Sequence, residues 1–253
     1  MSDDSSPGES EPADERIPRA SEVIAAKIRR QILSGAMPAG ARFPTELELA
    51  ADHKVSRPTI REALRILESD RLISIRRGKQ GGAAAAPPST DVLAEHAGLL
   101  LQYRGATLND VLAAKVLIEP PAAAAVARLR DPDAIRQLEE LIETGAQHQD
   151  SDRLAQESGE DFHELLVELA GNRTLRIYAA MINGVVRRHL SRLGTTPPED
   201  RAKLLAEHYR LLEFIRVGAA LEAEAFWREH LEHFNERVLS EVPRGTTVLD
   251  VMT

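Results

Sequence analysis

The apolar residues of this chain recur with the period of an α-helix over most of its length, and this pattern restricts the fold to a mainly α class. Ile24, Ile28 and Ile32 lie four residues apart, which places them on one helix face. Beyond Asp91 the helical pattern continues, and capping or breaking residues divide it into six or seven segments. The pair Pro120-Pro121 lies inside one segment, where we expect it to kink or split the helix.

One stretch departs from the helical pattern and predicts a small β-hairpin. Leu72 to Ile75 form a short β-type run, a basic glycine-rich segment follows at residues 76–82, and alanines come next. A strand, a turn and a returning strand account for this order.

Capping signals upstream of the hairpin predict two short helices joined by a tight turn. Thr45 and Glu48 form a capping box. Ser56 can cap the following helix, whose first turn contains Pro58. With the helix that begins at Ala20, the predicted order is helix, helix, turn, helix and hairpin.

The length of 253 residues suggests two domains. Residues 1–18 are rich in Ser, Asp, Glu and Pro with hardly an apolar side chain, so we predict a disordered acidic tail. The helix-and-hairpin domain then spans 19–85, a linker containing two prolines spans 86–90, and an all-helical domain spans 91–240. We interpret 241–253 as a C-terminal tail.

Charge is distributed unevenly between these segments. The net charge is −8, yet residues 16–90 contain fourteen bases and seven acids, while residues 91–253 contain eighteen bases and twenty-seven acids. Positive charge is therefore confined to one stretch, as expected of a polyanion-binding module joined to an acidic body.

Several classes of protein are excluded by what the sequence lacks. It has no cysteine, so disulfides, thiolate metal sites and cysteine nucleophiles are absent. It has no run of about 18 apolar residues and its first residues are acidic, so we expect neither a membrane span nor a signal peptide. A cytoplasmic location is the resulting expectation.

A stripe of arginines marks the predicted third helix. Arg57, Arg61 and Arg65 recur at intervals of four and share one face. An isolated stripe of this kind is often only a solvated surface. Here it follows a helix and a turn and precedes a basic hairpin, an arrangement that suits the DNA major groove, which admits one α-helix.

The N-terminal motifs closely resemble the winged helix-turn-helix of GntR-family regulators over about residues 20 to 84. The resemblance rests on Pro44 to Ala50, Val55 to Arg65, Leu72-Ile73, Arg77-Gly78-Lys79 and Gly81-Gly82. It implies DNA contacts from a set of recognition-helix and wing residues: Ser56, Arg57, Thr59, Arg61, Arg65, Arg77, Gly78 and Lys79. Leu47 stands where many members have an arginine, and Arg42 is a candidate to supply that contact.

The C-terminal domain resembles the all-helical FCD domain of the FadR subfamily. The pieces that carry the resemblance are Lys115 to Glu119, Asp161 to His163, Ala170 to Asn172, His208 and His230-Leu231. The resemblance implies a cavity for a small organic acid or acyl compound, the effector, and a homodimer on a palindromic operator in double-stranded DNA.

Many FCD domains hold a divalent metal with one aspartate and three histidines. His163, His208 and His230 fall on the histidine positions, whereas Gly159 occupies the usual aspartate position. Imidazoles suit zinc or nickel, and three histidines with water can form an open site. The alternative is that they are hydrogen-bonded residues of a metal-free cavity.

Three cations are candidates to neutralise an acidic effector. Lys115 replaces the arginine common at its position in the family, and Arg187 or Arg188 can assist. On a long helix, however, an arginine is often merely solvated.

The function that these features predict is ligand-responsive transcriptional regulation, most simply repression, and no enzymatic activity. Two other classes stay open at this point. One is a metal-dependent hydrolase or oxygenase built on the three histidines, and the other is a nucleoid-type protein that binds DNA without sequence preference.

Overall fold

The computed structural model describes residues 18–76, 82–190, 196–243 and 245–247. The chain divides into two compact units, and the boundary lies between Pro88 and Ser89. The described residues form ten helices and one two-stranded sheet, which confirms the mainly α fold class. No described helix has an apolar stretch long enough to span a bilayer. The acidic tail predicted at the N-terminus lies outside the described residues, apart from Pro18.

The N-terminal unit has the predicted order of three helices followed by a hairpin. Its elements are α1 Ala20–Leu33, α2 Glu46–His53, α3 Arg57–Ser69, β1 Ile73–Arg76 and β2 Gly82–Ala85. The strands are antiparallel, with Ile73 opposite Ala85 and Arg76 opposite Gly82. The apolar faces of α1 and α3 form the core together with residues of α2 and the hairpin.

Local capping explains where α2 and α3 begin. The Thr45 hydroxyl accepts from the Glu48 amide at 3.3 Å, and the Glu48 carboxylate accepts from the Thr45 amide at 2.8 Å, as predicted. Lys54 adopts the left-handed conformation and ends α2. Ser56 then caps α3, with Pro58 in the first turn where its missing amide proton costs nothing.

The C-terminal unit contains seven helices within the described ranges. They are α4 Thr90–Tyr103, α5 Leu108–Leu129, α6 Pro132–Gln147, α7 Asp152–Leu169, α8 Arg173–Leu190, α9 Pro198–Val217 and α10 Ala220–Ser240. Helix α5 packs along α10 and also contacts α7, α8 and α9. Helix α4 packs mainly on α8, and α6 packs on α7 and α9.

The proline pair does not split α5, which continues from Leu108 to Leu129. Pro120 has no amide proton, and the carbonyl of Val116 therefore lacks its usual helical donor. Arg228 of α10 supplies one instead, because its Nη1 donates to the Val116 carbonyl at 3.3 Å. Leu117, four residues before Pro121, is 74% exposed, so water can reach that side of the helix. A tertiary contact and solvent thus replace the two missing helical bonds.

The segment after α10 returns to the start of α5. The Leu108 amide donates to the Thr246 carbonyl at 2.9 Å, and Thr107 and Thr247 form an isolated antiparallel bridge. Residues 245–247 are therefore attached to the helical unit.

Candidate functional site

The arginine stripe of α3 faces outward. The side chains of Arg57, Arg61 and Arg65 are 54%, 57% and 76% exposed, whereas Ile60 and Leu67 on the opposite side are buried. The same helix therefore carries a core face and a cationic face, and the cationic face is available to a partner.

An acid on α2 pairs with two of these arginines. Glu46 Oε2 lies 2.7 Å from Arg61 Nε and 3.7 Å from Arg57 Nη2. The hydroxyls of Ser56 and Thr59 lie 2.8 Å apart at the start of α3. Sequence reasoning missed Glu46, although it belongs to the motif that precedes the turn. Exposed ion pairs contribute little to stability, so these pairs can be exchanged for phosphate contacts at low cost.

The structure describes two further positions that the resemblance singled out, Leu47 and Arg42. Leu47 is 64% exposed on α2. Arg42 is exposed and its backbone bridges to Ala84 of β2, beside Arg76 at the end of β1. The predicted wing-tip residues Arg77, Gly78 and Lys79 lie outside the described residues.

In the C-terminal unit the fold brings three histidines together from three helices. His163 of α7, His208 of α9 and His230 of α10 each offer a ring nitrogen, and these nitrogens all lie within 4.8 Å of one another. His208 and His230 are 6% and 3% exposed. Positions separated by 45 and 22 residues in the chain thus converge on one point.

Two of the histidines are oriented by carboxylates. His163 Nδ1 lies 2.6 Å from Glu119 Oε2, and His230 Nδ1 lies 2.7 Å from Glu207 Oε2. A carboxylate only accepts, so Nδ1 of each ring carries the proton and donates. Nε2 is then left with a free lone pair, the arrangement that metal-binding histidines usually have.

Burial keeps His163 and His208 in the neutral form that suits a cation. Burial lowers the pKa of His163 to about 4, although Glu119 opposes the shift, and burial also lowers the pKa of His208 well below its usual range. Burial raises the pKa of Glu119, but Lys115 and His163 outweigh that effect and lower the pKa to about 2. At neutral pH these two rings are therefore neutral while the carboxylate beside them is charged.

Aromatic side chains hold the rings in place. Phe162 stacks on His208 with centroids 4.3 Å apart, and Trp227 stacks on His230 at 4.2 Å. Trp227 Nε1 also donates to Glu119 Oε2 at 3.1 Å. The imidazoles are thus preorganised by packing as well as by hydrogen bonds.

Gly159 faces the same cluster. A Cβ at this position would lie 3.8 Å from Cε1 of His208. A side chain here would be directed towards the histidines, and the glycine leaves that direction open.

The histidines line a cavity of about 120 Å³. Lys115 lines it and is only 7% exposed, with Nζ 3.5 Å from Glu119 Oε1. Arg187 and Arg188 are not among the described lining residues, and Arg187 pairs with Glu160 at 2.6 Å and Glu164 at 2.8 Å.

Two arginines that sequence reasoning missed line the cavity. Arg201 Nη2 donates to the Gln149 carbonyl at 2.8 Å, and Arg237 stacks over Phe234. No sequence motif distinguishes either residue from other arginines on long helices. Whether such an arginine faces the cavity depends on how the helices pack.

Two family models match the chain. The model described as bacterial regulatory proteins, gntR family, matches residues 20–80. The FCD domain model matches residues 110–233. Each match falls within one of the two units.

Relatives and solved structures match both units together. The HTH-type transcriptional repressor NanR of Escherichia coli is 25% identical over 218 residues, covering 84% of this chain and 82% of that protein. NanR of Klebsiella aerogenes is 28% identical over 157 residues, covering 61% and 60%. The structure of Streptococcus agalactiae GntR has a TM-score of 0.67 and 25% identity and covers 86% of this chain and 99% of that one.

Proposed function

We propose that this chain, which belongs to the GntR family of bacterial regulators and carries an FCD domain, is a transcriptional repressor controlled by a small carboxylate. The observation that carries the proposal is the exposed arginine face of α3 within the matched GntR segment. The relatives named as repressors support the direction of regulation.

In the proposed complex α3 enters the major groove, which is about 12 Å wide. Arg57 and Arg61 contact base edges or phosphates, Arg65 extends the same face, and the hairpin with Arg77, Gly78 and Lys79 follows the neighbouring backbone. A homodimer places two such helices on the two halves of a palindromic operator, because two-fold protein symmetry matches two-fold sequence symmetry. A repressor of this kind works in the cytoplasm, where the bacterial chromosome lies.

The three histidines fit a divalent cation such as zinc or nickel. The fit rests on the donor set, since imidazoles whose Nδ1 atoms donate to carboxylates can present Nε2 as a ligand. The ion, when bound, supplies a Lewis acid that attracts the carboxylate of an effector. Gly159 supplies no carboxylate of its own, so a coordination position is left for water or for the effector.

The surroundings of the cluster favour binding over catalysis. Glu119 and Glu207 accept from the Nδ1 atoms of His163 and His230. Of the acids that line the cavity, Glu160 pairs with Arg187, Asp152 pairs with Arg201, and Glu241 is exposed. A hydrolase needs a carboxylate or similar group free to move a proton. A regulator needs only differential affinity of the effector for two arrangements of the protein, typically worth about 1 to 3 kcal/mol.

The test is selection of bound fragments from random DNA by the full-length protein, followed by titration of the selected site at fixed salt. We expect a palindromic site that binds at least about a thousandfold more tightly than a scrambled one. Equal affinity for the scrambled site would identify a nucleoid-type protein instead. Mass spectrometry of the metal and small molecules released from the purified protein tests whether the C-terminal unit binds a metal ion and a small carboxylate.

A further inference from the structure

An asparagine in the wall of the cavity has neither of its side-chain polar atoms paired. Asn183 lies within α8, is 2% exposed and lines the cavity that contains Lys115 and the histidines. Among the described residues no partner meets its Oδ1 or its Nδ2. Exchanging the two atoms by rotating the amide leaves the same deficit, so the deficit does not depend on the assignment of oxygen and nitrogen.

A second acceptor in the same cavity is also unpaired. Gln149 Nε2 donates to the Gly145 carbonyl at 3.0 Å, while its buried Oε1 has no partner in the described part of the chain. Buried polar groups are nearly always hydrogen-bonded, and an unpaired one indicates a missing water, ion or ligand. Together, Asn183 and Gln149 present two acceptors and one donor group to whatever occupies the cavity.

This set of unpaired groups restricts the chemistry of the occupant. A carboxylate only accepts, so it can meet Lys115, a bound cation or Asn183 Nδ2, but not Asn183 Oδ1 or Gln149 Oε1. Those oxygens require donors, and a hydroxyl group both donates and accepts. An acyl chain offers no donor, so it would leave these buried oxygens unpaired, which is unfavourable.

The size of the cavity restricts the occupant further. The volume is about 120 Å³. Benzene, with six non-hydrogen atoms, occupies a cavity of about 150 Å³, so this cavity suits an acid of only a few carbons.

Building on the proposed function, we infer that the effector is a small hydroxy acid and that Asn183 recognises its hydroxyl group. The carboxylate lies towards Lys115 and the histidines, and the hydroxyl groups pair with Asn183 and Gln149. This narrows the effector from organic acids and acyl compounds in general to polar acids of three to five carbons.

The test compares acids that share a carbon skeleton. Isothermal titration of the full-length protein, with and without zinc, measures threonate against butanoate and glycerate against propanoate. We expect each hydroxylated acid to bind about 5- to 100-fold more tightly than its plain partner, as expected for pairing otherwise unsatisfied buried groups. In Asn183→Leu we expect the ratio of threonate affinity to butanoate affinity to fall severalfold, and the part that Gln149 contributes to remain.

Asn235→Leu is the matched control. Asn235 is also buried and also has an unpaired Oδ1, but it donates to the Leu112 carbonyl and is not among the residues lining the cavity. We expect this variant to keep the preference for threonate. Asn183→Ala, which cannot overpack the wall, serves if Asn183→Leu does not fold.

The outcomes separate this inference from the proposed function. Equal affinity of the wild type for threonate and butanoate, or an unchanged preference in Asn183→Leu and Asn183→Ala, would overturn the inference alone. An unchanged preference would indicate that Asn183 is paired by structural water. If no acid binds while the protein still binds the selected DNA site, the proposal that a small carboxylate controls the repressor also fails.

Discussion

The arginine face of α3 and the histidine cluster of the C-terminal unit are both polar, but they are stabilised in opposite ways. The arginines are more than half exposed, and their pairs with Glu46 and Glu62 contribute little to stability. The histidines are buried, and carboxylates and aromatic rings fix their orientation. The comparison teaches that a surface site tolerates loosely held charges, whereas a buried site requires nearly every polar group to be paired.

The largest expected effect comes from removing a histidine. In His208→Ala the affinity for zinc or nickel should fall by more than about a hundredfold. Removing a metal ligand should lower the affinity more than removing a hydrogen-bond partner of a ligand, which lowers it about 10- to 100-fold. DNA binding without effector should be unchanged. Isothermal titration with zinc measures the first quantity, and His96→Ala, at an exposed position on α4, is the control. Equal zinc affinity in both variants would contradict the metal site.

Removing a carboxylate that pairs with a histidine should have the next largest effect on metal affinity. The two such carboxylates, Glu119 and Glu207, should differ in their effect on stability. Glu119→Gln and Glu207→Gln should each lower metal affinity about 10- to 100-fold. Glu119→Gln also leaves Lys115 buried without its carboxylate, and we expect a loss of about 3 to 5 kcal/mol in the free energy of unfolding. Glu207 is partly exposed, so its variant should unfold almost as the wild type does.

Urea denaturation of the two variants checks this difference. If both variants lose equal stability, the buried Lys115–Glu119 pair is not the source of the effect.

Substitutions on the arginine face should change DNA affinity and leave folding intact. Arg57→Ala and Arg61→Ala should each weaken binding to the selected site by about 1 to 3 kcal/mol, with stability within about 0.5 kcal/mol of the wild type. Fluorescence anisotropy with labelled DNA measures the affinity. Arg136→Ala is the control, since Arg136 is likewise exposed and paired with acids, on α6. Unchanged binding in both α3 variants would contradict the recognition helix.

The smallest expected effect comes from Glu46→Gln. Removing this partner of Arg57 and Arg61 should change stability by less than about 1 kcal/mol. DNA affinity should rise slightly, because Arg57 and Arg61 no longer have to leave the Glu46 carboxylate before they bind a phosphate. The rise should be largest at low salt, where charge interactions are least screened. A salt series of DNA titrations checks this, and a marked fall in affinity would mean that Glu46 positions the arginines for binding.

The N-terminal unit was predictable from the sequence because its signals are local. A capping box at Thr45 and Glu48, a cap at Ser56 and the alternation of Ile73 to Ile75 each operate within a few residues. The family resemblance, confirmed by the two matched models, then identified the unit as a DNA-binding module.

The C-terminal site was predictable only in part. The resemblance indicated the three histidines, but their partners Glu119 and Glu207 lie 44 and 23 residues away in sequence. Asn183 carried no signal at all, because an unpaired amide is recognisable only once the surrounding helices have packed. The direction of a side chain around a long helix is a tertiary property, and the same limit applies to Arg201 and Arg237.

The hydrogen bond from Arg228 to the Val116 carbonyl, which replaces the helical bond lost at Pro120, also joins two helices that line the cavity. Arg228 and Asn235 of α10 donate to the carbonyls of Val116 and Leu112. Helix α10 carries His230, and α5 carries Lys115 and Glu119. We therefore expect α5 and α10, each about 30 Å long, to move together if His230 is displaced.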